Sequence, residues 1–144
     1  MRVAKQLART HGLFAALSDA PAYAYERRVT EEGVTFRSYR DGARVTLTPE
    51  SSVAAQKAFG ADIILPLDEL PPYHITPTAL AASTARSHRW MARSLRAHLA
   101  APGMQAMYGI VHGGTDGELR AGSAAYLCAL PFGACSLARS AVAV

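Results

Sequence analysis

The sequence predicts an α/β fold built on a parallel sheet and entered through a β-hairpin. Three observations lead there. A segment of alternating residues folded around Asp41-Gly42 reads as a hairpin over residues 34–48. Two short apolar runs, ADIILPL (61–67) and MYGIV (107–111), read as buried strands. Helical segments precede and follow each run. Helices alternating with fully apolar strands imply parallel pairing, right-handed crossovers and both sheet faces covered.

Composition bounds this reading. The 144 residues are 50% hydrophobic, enough for one core and too few for two ordinary domains. Charged residues make up 18%, which excludes a highly charged disordered chain. No apolar run approaches the roughly 18–20 residues that span a bilayer, so the expectation is a soluble chain without a membrane partner. Cys128 and Cys135 can build neither a disulfide scaffold nor, alone, a four-ligand zinc site. The net charge of +4 permits a nucleic-acid partner without arguing for one.

The elements run in order. Residues 1–18 carry Arg2, Lys5 and Arg9, with no acid before Asp19, and Leu7, Leu13, Phe14 and Leu17 near helical spacing. An amphipathic surface helix is the plainer reading and a transit peptide the alternative. This leaves a cytoplasmic or organellar location, not a secreted one, as the expectation. Pro21 and the Ala/Tyr stretch after it form a connector. In the hairpin, Val34 and Phe36 alternate with Thr35 and Arg37, and Val45 and Leu47 with Arg44 and Thr46. Thr48-Pro49-Glu50 then opens a helix: a hydroxyl cap, a proline at the first helical position and an acid near the positive dipole end. Gly60 stops it. Pro66 marks an end or a bulge in the first apolar strand. Thr76-Pro77 opens a second helix, running through His98. Thr115 with Glu118 forms a capping box for a third, about 116–128. Beyond Phe132, GACSLARSAVAV carries no recognisable strand–loop signature.

Ligands of parallel α/β folds bind beyond the carboxyl ends of the strands. Asp68-Glu69 follows the first apolar strand, and His112-Gly113-Gly114-Thr115 follows the second. If the strands are neighbours, both clusters face one crevice. A carboxylate fixed at Asp68 suits paired N–H donors such as the amidine edge of a guanine-like base. The plainer alternative is that Asp68 or Glu69 caps the next turn. Gly113 and Gly114 let a ligand approach backbone beside a helix N-terminus, or simply make the turn. Arg86, Arg89, Trp90 and Arg93 share one side of the long helix. They read either as a phosphate-contacting stripe on RNA or as a solvated face with Trp90 packed inward. The five histidines, at 11, 74, 88, 98 and 112, form no HxxxH pair, so no metal site is expected.

GVTFRSYRDG (33–42), TPESSVAAQKAFGADIILPLDELPPY (48–73), SHRWMARSL (87–95) and MYGIVHGG (107–114) together resemble the central part of the tRNA-guanine transglycosylase family, also called queuine tRNA-ribosyltransferase. The likeness spans residues 30–132. It implies an incomplete (β/α)8 TIM-type barrel, about three β/α units plus the hairpin, where a whole barrel takes about 250 residues. It divides the chain into an N-terminal helix and connector (1–29), the partial barrel (30–132) and a divergent tail (133–144). Such enzymes exchange the wobble guanine of tRNA for a 7-deazaguanine base in queuosine modification. A carboxylate nucleophile forms a covalent ribosyl–enzyme intermediate, and a second aspartate moves the protons.

The resemblance carries roles onto particular residues. Asp68 matches the aspartate that recognises the guanine-like edge. His112 stands where many members have a base-contacting glutamine, and Gly113 and Gly114 match the backbone of that loop. Leu70 stands where many members carry a cysteine or small residue lining the pocket. Beside these, Arg86, Arg89 and Arg93 of the helix stripe, read from their spacing, are candidate tRNA contacts. The departures are larger. No DSGG motif, which carries the acid/base aspartate, occurs in the sequence. The glycine-rich strand after the third helix, the nucleophile segment, the basic anticodon-gripping loop and the Cys/His cluster of the family's structural zinc have no match either. The expectation is a truncated chain, inactive alone and without cofactor. Its alternatives are a non-catalytic base- or tRNA-binding accessory subunit completed by a partner or a second copy, and an unrelated α/β protein binding phosphate at His112–Thr115.

Overall fold

A computed structural model describes residues 28–38 and 41–137. The N-terminal helix and most of the connector expected over 1–29 lie outside the described residues, as does the tail beyond Leu137.

The hairpin forms as expected. Strands β2 (Val34–Arg37) and β3 (Arg44–Leu47) pair antiparallel, with Val34 opposite Leu47 and Arg37 opposite Arg44. Gly42 takes a φ of +71° in the turn, and Asp41 Oδ1 accepts the Ala43 N–H at 3.1 Å. A short strand not expected from the sequence, β1 (Arg28–Val29), adds to the other edge of β2. Helix α1 (Pro49–Ala58) begins at a reciprocal cap: Thr48 Oγ1 accepts from Ser51 N at 3.2 Å, and Ser51 Oγ accepts from Thr48 N at 2.8 Å. It stops before Gly60, whose φ is +71°.

The second sheet is parallel, in the order β4-β5-β6. Strand β4 is only Ile63–Ile64, shorter than the seven-residue run suggested, and Ile63 is exposed. The residues just after it cut the strand short. Pro66 brings no N–H, and side chains take over the backbone groups that a ladder would have satisfied. Gln56 of α1 clamps Leu65 on both sides, Nε2 donating to its carbonyl at 2.7 Å and Oε1 accepting its N–H at 2.9 Å. Helix α2 (Pro77–Ala100) opens at Thr76, whose Oγ1 accepts from Ala79 N. It ends under Lys57, which donates from Nζ to the carbonyls of His98 and Ala101.

Strand β5 (Ala106–Val111) pairs parallel with β4, Ile64 opposite Met107. Helix α3 (Gly117–Cys128) is capped by Asp116, not by the expected Thr115–Glu118 box: Asp116 Oδ1 accepts from Glu118 N at 3.0 Å and Leu119 N at 2.9 Å. An aspartate one residue closer to the helix out-competes the threonine. The largest difference is β6 (Ala134–Leu137), which pairs parallel with β5 from Tyr108↔Ala134 to Val111↔Leu137. Regular structure therefore continues past Phe132, where no strand pattern was legible. Lacking alternation, the segment is recruited by the free edge of β5.

The core gathers on this sheet. Val53, Ile64, Leu95 and Met107 make one buried cluster; Met91, Ile110, Val111 and Leu127 make another, and Phe132 packs against both. Among the described residues no helix is long and apolar enough to cross a membrane.

Candidate functional site

Parallel pairing of β4 and β5 brings the two polar clusters together. Oδ2 of Asp68 lies 3.1 Å from Nε2 of His112, within ion-pair distance but outside the angles of a hydrogen bond. Oδ1 of Asp68 takes no partner among the described residues. His112 is 3% exposed, so the ring is buried against the carboxylate and is not a surface loop histidine.

Both residues sit on backbone pinned by buried hydroxyls. Ser94 Oγ accepts the Leu67 N–H at 3.3 Å, and Ser87 Oγ accepts the Glu69 N–H at 3.0 Å. These serines of α2 flank Asp68 on either side, and both are fully buried. On the other strand, Ser123 Oγ of α3 accepts the His112 N–H at 2.9 Å. Gly113 and Gly114 have φ of +115° and +55°. A Cβ on Gly113 would meet Arg120 N at 2.6 Å, because the loop passes directly over the first turn of α3. Arg120 Nη1 in turn donates to Gly114 O at 3.2 Å.

Leu70 is exposed just beyond this cluster. A groove of about 240 Å³ continues from it, lined by Pro71, Pro72, Tyr73 and Leu80 on one side and Gly114 and Asp116 on the other. Neither Asp68 nor His112 lines it.

The arginines of α2 face elsewhere. Arg89 pairs with Glu31 at 2.7 Å, Arg93 with Glu50 at 2.8 Å, and Arg86 bridges Glu31 at 3.3 Å and Glu69 at 2.6 Å. Trp90, fully buried, donates from Nε1 to the Glu31 carbonyl at 2.8 Å. The arginine hydrogen bonds hold the carboxyls of Glu31 and Glu50 down to about 2. Trp90 therefore packs inward, and the arginines fasten the β1–β2 turn and α1 to α2.

Sequence reasoning missed Gln56, Ser87, Ser94, Ser123 and the inward-turned His88. One signal was present: Ser83, Ser87 and Ser94 share a helical face at spacings of four and seven. Among the described residues no three His, Cys, Asp or Glu side chains converge, and Cys128 stands exposed.

Comparison with known proteins bears on this geometry. The family described as Queuine tRNA-ribosyltransferase matches residues 4–142. The chain belongs to this family. A Queuine tRNA-ribosyltransferase of Protochlamydia amoebophila is 64% identical over 105 residues, covering 73% of this chain and 27% of that protein. Those of Chlamydia muridarum and Chlamydia trachomatis serovar L2 are 50% and 51% identical over 105 residues, each covering 73% of this chain and 28% of the relative. The chain thus spans little more than a quarter of the length of the curated relatives it matches.

Proposed function

We propose that this chain is the base-recognition portion of a tRNA-guanine transglycosylase barrel, about three β/α units of the eight together with a hairpin. The observation that carries the reading is the convergence of Asp68 and His112 at the carboxyl ends of adjacent parallel strands. Asp68 is the acceptor for the N1–H and exocyclic amine of guanine or a 7-deazaguanine, with Oδ1 available while Oδ2 faces His112. His112 supplies a hydrogen-bonding ring where many family members have a glutamine amide. Gly113 and Gly114 leave backbone open beside it. The tRNA whose wobble base is exchanged is the macromolecular substrate.

The chain is inactive alone, because the sequence contains neither the DSGG segment with its acid/base aspartate nor the segment that carries the nucleophile. Bound phosphate at His112–Thr115 is disfavoured by the Asp68 carboxylate 3.1 Å from the imidazole. The accessory-subunit reading draws on the edges of the parallel sheet, where β4 and β6 each pair on one side among the described residues.

Incubation of the purified chain with unmodified tRNA and labelled guanine, alongside equilibrium dialysis of labelled guanine, tests the proposal. The expected result is guanine retention without incorporation into tRNA. Robust incorporation would overturn the claim of inactivity, and absence of guanine binding would overturn the assignment of the site.

A further inference from the structure

Behind His112 stands a set of polar groups that base recognition leaves unexplained. Ser123 is buried at 1% exposure. Its Oγ takes the His112 N–H at 2.9 Å and lies 2.8 Å from Nε2 of His88 on α2. The His88 ring stacks on Tyr126 of α3, centroids 4.4 Å apart and planes 17° from parallel. Tyr126 closes the set by donating its hydroxyl to the His88 carbonyl at 3.3 Å. Imidazole, hydroxyl and backbone amide thus run in file from the α2–α3 packing to the loop of the site.

The chemistry of the serine explains why the file matters. The ladder between β5 and β6 ends at Val111 opposite Leu137, so the amide of His112 is the first one beyond the sheet. Buried and unpaired, it would destabilise the loop. Ser123 offers it one lone pair. The hydroxyl hydrogen stays free to rotate unless an acceptor fixes it, and an unprotonated Nε2 of His88 is such an acceptor. Burial, and then the neighbouring His112, push the His88 pKa below its ordinary value. That shift favours the neutral ring, and in the tautomer with its proton on Nδ1 the Nε2 lone pair is open to the hydroxyl 2.8 Å away. A hydroxyl that donates in this way is a better acceptor for the amide.

We propose that His88 and Ser123 are positioning residues for His112: they fix the loop register that sets its imidazole beside Asp68, and so set affinity for a guanine-like base without touching it. The assignment rests on the base-site reading above. It links the Ser123 contact to His88 on a second helix and gives the pair a role in base affinity.

Equilibrium dialysis of radiolabelled guanine against the full chain tests it, using Ser123→Ala, Ser123→Thr, His88→Phe, His112→Ala and the double variant Ser123→Ala/His112→Ala. His88→Phe keeps an aromatic ring on Tyr126 and removes only the polar atoms, so it carries the test if Ser123→Ala fails to fold. Loss of one such hydrogen bond corresponds to guanine binding weakened about five- to tenfold in Ser123→Ala and His88→Phe. Ser123→Thr should restore most of that loss. In the His112→Ala background, Ser123→Ala should cost nothing more, because its effect passes through His112. Wild-type affinity in Ser123→Ala or His88→Phe, or a loss that adds in full to that of His112→Ala, would overturn the assignment alone. A wild-type chain that binds no guanine would overturn the base-site reading and this assignment together.

Discussion

Substituting Gly113 by alanine should strike the site and the fold at one point. Its φ of +115° is one that L side chains rarely adopt. The new Cβ would stand 2.6 Å from Arg120 N, 2.8 Å from Leu119 C and 2.9 Å from Leu119 Cβ. Two of these are backbone atoms in the first turn of α3, already fixed by the Asp116 cap, so the neighbour cannot give way as a flexible side chain would. Gly60 supplies the control. Its φ is +71°, and nothing lies within 4 Å of a Cβ built there. Gly60→Ala therefore costs only the left-handed backbone, about 1–2 kcal/mol. Gly113→Ala adds overpacking of about 1–3 kcal/mol to a comparable backbone strain. Urea unfolding followed by circular dichroism should rank wild type above Gly60→Ala and Gly60→Ala above Gly113→Ala. With a slope of about 1–3 kcal/mol per molar, the two variants should differ in midpoint by roughly 0.5–2 M. Gly113→Ala should also lose guanine binding, since the loop must lift off α3 and take His112 with it. Equal stability of the two variants, or Gly113→Ala the more stable, would refute the role assigned to close packing.

The same contacts set other expectations. Gln56→Ala leaves the Leu65 N–H and carbonyl without the clamp that stands in for a strand ladder, and should destabilise by about 2–4 kcal/mol in the same urea titration; Gln56→Glu, which sets a buried carboxylate oxygen against the Leu65 carbonyl, should cost at least as much at pH 7 and less at acid pH, where a protonated carboxyl can donate. The carboxyls of Glu31 and Glu50, lowered from 4.5 to about 2 by Arg89 and Arg93, stabilise the folded chain fully above about pH 4.5, and that contribution is lost as pH falls toward 2. The midpoint should drop across that window, less steeply in Glu50→Gln and at high salt, because these pairs are largely exposed. Phe59, Leu99 and Met104, the last 95% exposed, and β4 and β6, each paired on one side among the described residues, should make the isolated chain self-associate, as sedimentation velocity across a concentration series would read. A monomer with a sharp two-state melt would contradict that.

Legibility in the sequence tracks local chemistry. Asp41-Gly42, Thr48-Pro49 and Thr76-Pro77 each satisfy a turn or a helix end with neighbouring atoms, and each appears where expected. Placing Asp68 and His112 at one crevice needed only parallel pairing, which the alternating pattern implied. The misses need partners distant in the chain. β4 is short because Gln56, Ser87 and Ser94 replace its ladder, and no window around 61–67 contains them. β6 has no alternation of its own and exists through the edge of β5. The arginines of α2 look like a basic stripe in sequence, yet the carboxylates that meet them come from Glu31, Glu50 and Glu69. His88 gave no local signal because its partner, Ser123, is 35 residues away.

Every role proposed for the site depends on Asp68 holding the donor edge of a guanine-like base. Equilibrium dialysis of labelled guanine against wild type and Asp68→Asn is the decisive comparison. The amide keeps the shape of the side chain and replaces one acceptor oxygen with a donor facing the N–H groups of the base. Guanine should bind the wild-type chain and be lost in Asp68→Asn, with the unfolding midpoint little changed. Equal guanine affinity in the two chains would contradict the role given to Asp68.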